Sequence, residues 1–186
     1  MNLLIMGPPG VGKGTQAKII CKKLNIIHIS TGEILRNEIR KKTKIGLIAK
    51  SFINIGKLAP DDIILDIIDD NIKNENCIKG YLLDGFPRTI PQAKGFDKIL
   101  EKKEETLTMV INLTANENEL INRIIERGKD SGRSDDILEI IKERQKIYWH
   151  QTAPLIEYYN KKNILKNING IGKIEDITNR ILRILN

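Results

Sequence analysis

Lys13 closes a glycine-rich run, Gly7-Pro-Pro-Gly-Val-Gly-Lys-Gly-Thr15. Glycines let backbone N–H groups turn inward and approach an anion without Cβ clashes. A helix starting behind them adds unpaired donors and partial positive charge, and Lys13 adds a full one. The apolar run Leu3–Met6 before the loop reads as a buried strand, giving strand, GxxxxGK and helix, an arrangement that holds nucleoside triphosphates. The loop departs from the general pattern at one slot. Gly14 stands where Ser or Thr would hold Mg²⁺, with Thr15 following. The metal must then be held by water or by a carboxylate from elsewhere. Asp84, at the end of the short apolar run Tyr81–Leu83, is the candidate for orienting Mg²⁺ or its waters. The plain alternative is a strand-end Asp-Gly turn.

The chain carries nine arginines against twenty-two lysines. In so lysine-rich a composition, positions that hold arginine point to a need for its planar fork. Arg36, Arg88, Arg123, Arg127, Arg133 and Arg144 together suggest a charge clamp on a transferring phosphoryl group. Arg123 and Arg127, four apart, project from one helix face. Surface scatter explains any one of these well but the set poorly. Arg180 and Arg183 are expected to be plain surface residues. Asp135-Asp136 reads either as a helix cap or as a partner for arginines or a sugar. His28 and His150 show no nucleophile or metal partner and are assigned no catalytic role.

The elements that must position these residues alternate. Strands are expected at Leu3–Met6, Ile26–Ile29, Tyr81–Leu83, Leu107–Leu113 and Ile164–Asn167. Helices are expected at 13–23, 32–41, 44–55, 60–74, 89–103 and 117–127. One long helix is expected from Asp135 to about Tyr159, and an amphipathic one over Ile174–Leu185. Ser30, with Glu33 three residues on, reads as a capping box. Strands separated by helices mean a five-stranded parallel sheet with helices on both faces, an α/β fold that binds ligands beyond the strands' carboxyl ends. Two segments do not serve the sheet: 30–59, which is helical between strands, and the polar break from Gly128 to Ser134. Both are candidate mobile elements.

The 186 residues, 40% hydrophobic and 30% charged, fit one domain. The net charge of +7 raises a second class of reading, a basic nucleic-acid-binding ATPase. Its lysines are scattered, however, and Ile, Asn and Lys are abundant throughout, as in a global compositional bias. Cys21 and Cys77 have no disulfide or zinc spacing and are expected to be buried thiols. With no leader-like start and no apolar stretch of spanning length, a cytoplasmic location with no membrane partner is expected. No apolar stripe demands a dimer, so a monomer is expected.

Five stretches in order resemble the adenylate kinases of the short-lid kind, within the nucleoside monophosphate kinases. They are Gly7–Gln16, His28–Arg36, Gly56–Pro60, Asp84–Thr89 with Gln92, and Arg127–Asp136. Gly14 is itself typical of that family. The resemblance implies a P-loop NTPase-type core, an NMP-binding segment at 30–59 and a short lid at 126–136. It implies ATP and Mg²⁺ as cofactors, no zinc, AMP as acceptor and two ADP as products. ATP phosphates would lie on Gly10, Val11, Gly12, Lys13, Gly14 and Thr15, with Arg123 and Arg127, and the adenine against the Gly172 backbone. AMP would lie on Thr31, Arg36, Lys57, Leu58, Ala59, Gly85, Phe86, Pro87, Arg88 and Gln92. Arg133 and Arg144 would clamp AMP and the transferred group. A UMP/CMP kinase shares the lid pattern but tends to carry Ala at the Thr31 position and Asn after the arginine, where this chain has Thr89 with Gln92. Gln92 can both accept and donate, which suits the adenine edge.

Overall fold

The computed structural model describes residues 1–131 and 137–185, with the side chains of 117, 118 and 127–131 outside the description. Five strands form one sheet: β1 (Asn2–Met6), β2 (Ile27–Ser30), β3 (Tyr81–Asp84), β4 (Met109–Thr114) and β5 (Leu165–Asn169). They lie in the order β2-β3-β1-β4-β5, and every pairing is parallel. Successive side chains alternate faces, and both faces of the inner strands are apolar, so β1, β3 and β4 read as nearly unbroken hydrophobic runs, whereas the edge strand β5 carries Lys166, Asn167 and Asn169 exposed. Leu4, Met6, Leu83 and Val110 pack into one core, and Leu3, Ile5, Leu82 and Ile111 into the other. The two free cysteines fall one in each core, Cys77 in the first and Cys21 in the second.

The helices among the described residues are α1 (Lys13–Leu24), α2 (Thr31–Arg40), α3 (Lys44–Ile53), α4 (Asp61–Ile72), α5 (Ile90–Lys102), α6 (Glu117–Ser131), α7 (Leu138–Ile147), α8 (Pro154–Lys161) and α9 (Ile174–Leu185). A 3₁₀ turn spans Glu75–Lys79. After β1 the chain crosses to one edge of the sheet, and after β3 it crosses the other way. The carboxyl ends of these neighbouring strands therefore bound a crevice, where Ile5 pairs with Asp84.

Two expected boundaries are corrected. The helix ending near 127 runs on to Ser131, so the polar break begins inside α6; Lys and Asp in that stretch are compatible with a helix even where composition suggests a loop. Residues 132–136, which include Arg133, Asp135 and Asp136, lie outside the described residues. The single long helix also divides. α7 starts at Leu138, and a π-helical turn, Tyr148–Thr152, joins it to α8. There Ala153 N–H donates across five residues to the Tyr148 carbonyl at 2.8 Å, and Pro154, which has no N–H, opens α8.

Candidate active site

The glycine loop turns because Gly10 and Gly12 take φ values of +89° and +96°, where L-residues are strained. A Cβ on Gly10 would also meet the Leu120 carbonyl oxygen at 2.5 Å, so α6 packs directly on the loop backbone. Gly12 leads into α1 with no side-chain cap, and the first turn of α1 holds no acidic residue. By contrast Ser30, Thr43 and Thr89 cap α2, α3 and α5. The uncapped end of α1 therefore keeps its donors for an anion. Lys13 Nζ donates to the Gly7 and Pro8 carbonyls at 2.7 and 3.0 Å, which folds the ammonium back over the loop.

Asp84 faces this loop from β3. A Cβ on Gly14 would sit 3.3 Å from Asp84 Oδ2. The side chain missing from the loop and the carboxylate beside it are thus two halves of one arrangement. His28 Nε2 lies 3.7 Å from the same oxygen, too far for a hydrogen bond, and has no hydrogen-bond partner among the described residues. Burial works against the Asp84 charge, but His28, Lys13 and Arg88 outweigh it and hold the carboxyl below the usual range.

The Asp84–Thr89 stretch is built from its own hydrogen bonds. Arg88 Nε donates to the Gly85 carbonyl at 2.8 Å, and the Thr31 hydroxyl donates to the same oxygen at 2.9 Å. The Phe86-Pro87 peptide is cis. Phe86 is buried edge-on against Phe96, so its side chain belongs to the core and does not line the cleft; Pro87 is buried too. Gln92, also buried, is already engaged at both ends of its amide. Its Oε1 accepts from Arg88 N–H at 2.7 Å, and its Nε2 donates to Asp61 at 2.7 Å. One N–H and one lone pair are left for a ligand. Thr89 accepts from Gln92 N–H as the α5 cap and donates to Asp61 at 3.1 Å, so its hydroxyl serves the scaffold.

These parts share one cleft of about 660 Å³. Its lining includes Gly10 to Thr15, Thr31, Arg36, Lys57 to Ala59, Asp84, Gly85, Arg88, Gln92, Arg123, Arg144 and Gly172. Lys13, Arg36, Arg88, Arg123 and Arg144 are all half-buried there. The side chain of Arg127 and all of Arg133 are outside the described residues.

Several contributors escaped the sequence reading. Asp61 orients Gln92 and shows only as the first residue of a helix. Buried Gln145 donates to the Pro9 carbonyl at 3.2 Å and ties α7 to the glycine loop. Thr152, in the π turn, donates to the Arg88 carbonyl at 2.8 Å. Arg180, expected to be a plain surface residue, instead donates to the Asn169 and Ile171 carbonyls at 2.8 and 2.7 Å. Its only sequence signal was being arginine in a lysine-rich chain.

A glycine loop after the central strand of a parallel sheet, opposed across a cleft by guanidinium groups, defines the class of P-loop phosphotransferases. The comparisons narrow this. The family model described as adenylate kinase matches residues 5–164. An adenylate kinase from Parabacteroides distasonis is 46% identical over 186 residues, covering 100% of this chain and 98% of the relative. One from Leptospira biflexa is 46% identical over 182 residues, covering 98% of each. One from Methanothrix thermoacetophila is 40% identical over 211 aligned positions, covering 100% and 98%. The chain belongs to the adenylate kinase family. Its reaction is the reversible transfer of the terminal phosphate of ATP to AMP, giving two ADP. The family works with ATP and Mg²⁺, and among the described residues no helix is long and apolar enough to cross a membrane.

Proposed function

We propose that the two walls of the cleft divide the substrates between them. ATP phosphates lie on the amides of Gly10 to Thr15, with Lys13, Arg123 and Arg127 as cations and the adenine against the Gly172 backbone. AMP lies on Thr31, Arg36, the backbone of Lys57 to Ala59, the Gly85–Arg88 stretch and Gln92. Arg88, Arg133 and Arg144 neutralise the phosphoryl group in flight. The observation that carries this reading is that the uncapped α1 terminus with Lys13 and the half-buried Arg36, Arg88 and Arg144 open on one cleft.

In this reading Lys13 exchanges the Gly7 and Pro8 carbonyls for phosphate oxygens. Arg88 is aimed by its bond to Gly85, so little rotamer freedom is lost on binding. The acceptor phosphate is already ionised and no general base is required. Catalysis is positioning and charge stabilisation. Mg²⁺ fits the donor set: a hard carboxylate held ionised at Asp84, beside a loop position with no side chain, leaves room for the waters that Mg²⁺ retains. When bound, the ion screens the phosphates and fixes their orientation. With Cys21 and Cys77 in different cores, no structural zinc is expected. Closure of 30–59 and 126–136 over the substrates would exclude water and suppress hydrolysis. We further propose a cytoplasmic monomer that does not bind nucleic acid.

The test is a coupled assay with AMP, CMP and UMP as acceptors. AMP is expected to be preferred by orders of magnitude, because a mismatched edge leaves Gln92 groups unpaired. A preference for CMP would overturn the assignment of the acceptor wall.

A further inference from the structure

The helical stretch from α7 through the π turn into α8 buries one stripe: Ile141, Gln145, Tyr148, Thr152, Leu155 and Tyr159, alternately four and three residues apart. Four of these side chains are apolar or aromatic. Gln145 and Thr152 are polar, yet only 3% and 7% exposed. Burying an amide or a hydroxyl costs free energy that a hydrogen bond must offset. Here each bond reaches a backbone carbonyl of the site. Gln145 Nε2 donates to Pro9 at 3.2 Å, and the Thr152 hydroxyl donates to Arg88 at 2.8 Å. Pro9 is in the glycine loop, beside the Pro8 carbonyl that accepts from Lys13. Arg88 is tied within its own stretch by its N–H to Gln92 and its Nε to Gly85. Thr152, 64 residues along the chain, ties it to a different segment. One stretch of helix thus bonds both the loop that carries Lys13 and the residue that carries the facing guanidinium.

We propose that Gln145 and Thr152 are paired positioning residues for phosphoryl transfer, which together fix the gap between the glycine loop and Arg88. Neither lines the cleft, and neither touches substrate in this scheme. Their effect is on alignment. Transfer between two bound phosphates tolerates misplacement poorly, and an error of about 1 Å can cost about 10²-fold in rate. The bonds Arg88 makes within its own stretch set its aim relative to Gly85 and Gln92, not relative to the glycine loop. The α7–α8 stretch supplies that missing reference, because its own backbone bonds run on through the π turn, where Ala153 N–H donates to Tyr148. Losing either end frees the gap as fully as losing both. The inference rests on the roles proposed above for the glycine loop and Arg88.

The experiment follows ADP formation from ATP and AMP in a single turnover by rapid quench, alongside steady-state KM values. It compares wild type with Thr152→Val, Gln145→Met, the double variant and Thr152→Ser. Each of the first two is expected to slow the transfer step about tenfold, the worth of one hydrogen bond, while the KM values for ATP and AMP move less than about twofold. The double variant is expected to be slowed about tenfold as well, where two independent bonds would give about a hundredfold. Thr152→Ser, which keeps the hydroxyl, should restore most of the rate. An unchanged transfer rate in the single variants, or a multiplicative loss in the double variant, would overturn the proposal. So would a Thr152→Ser as slow as Thr152→Val, which would mark packing of the methyl group as what matters. If Thr152→Val does not fold, Thr152→Ala is read by the same rates. Arg88→Ala separates this inference from the reading beneath it. Near-normal turnover there overturns the reading of the cleft, whereas a crippled Arg88→Ala beside an unaffected Thr152→Val overturns this inference alone.

Discussion

In the proposed division of the cleft, the donor wall is made largely of backbone, and the acceptor wall largely of side chains. On the proposed donor side, the glycine loop, the bare start of α1 and Gly172 bring backbone to the cleft. Gln16, Arg123, Arg180 and Gln145 bond carbonyls of the glycine loop and of the 169–174 loop, Gln16 and Arg123 while lining the cleft themselves. On the acceptor side Thr31, Arg36, Arg88 and Gln92 themselves face the cleft. Polyphosphate offers many equivalent oxygens, which a curved row of amides can meet without side-chain entropy. Telling one nucleoside from another needs placed polar groups, the role proposed above for Gln92, which the Asp61–Thr89 network holds in place.

If the walls differ in this way, one exception on the donor side should dominate. Lys13→Ala removes the loop's only full charge and is expected to cut turnover by about 10² or more, as should Arg88→Ala opposite it. Near-normal turnover in either, by coupled assay, removes that residue from the machinery. Gly10→Ala tests the backbone half. Strain at φ +89° and a Cβ 2.5 Å from the Leu120 oxygen should cost about 1–3 kcal/mol or more, read as a lowered urea midpoint, although no side-chain contact is lost.

Asp84 belongs to both walls, and its effect should be moderate and dependent on pH. Its carboxyl is held below the usual range in the folded chain, so its stabilisation is complete above the unfolded value of about 3.9 and drains away as pH falls through the lower folded value. The stability advantage of wild type over Asp84→Asn should therefore be full at pH 6 and shrink toward pH 3, in paired urea titrations. A constant gap would mean the charge is not what stabilises the fold there. The smallest effect is expected at Lys18–Glu33, 2.7 Å apart, which links α1 to α2 across the two halves. Both side chains are well exposed, so Lys18→Ala should cost at most about 1 kcal/mol, and less in high salt.

Legibility in the sequence follows the same division. The inner strands β1, β3 and β4 could be read because both of their faces are buried, which leaves continuous apolar runs. Gly14 and Asp84 could be read as complementary because each breaks a local expectation. The acceptor residues stand in short motifs where type and spacing carry meaning. Gln16 and Ile174 are 158 residues apart, and no local pattern encodes such a bond. Arg180 looked like one more cation on an exposed helix face, since what it holds is another segment's backbone. The π turn carries no side-chain signature, since what defines it is a backbone bond spanning five residues instead of four.

That turn has a consequence for the length of the chain. A π turn is an α-helix with one residue too many, and here the flanks do fixed work: Gln145 on the Pro9 carbonyl and Thr152 on the Arg88 carbonyl. Trp149, in the bulge, is half-exposed and edge-on to Tyr148. Deleting it would convert the bond from Ala153 to Tyr148 from a five-residue to a four-residue span and leave Gln145 and Thr152 in register. At other helix positions a deletion turns everything beyond it by about 100°. Trp149 is therefore the position in this stretch where a deletion is expected to leave the Gln145 and Thr152 bonds in place.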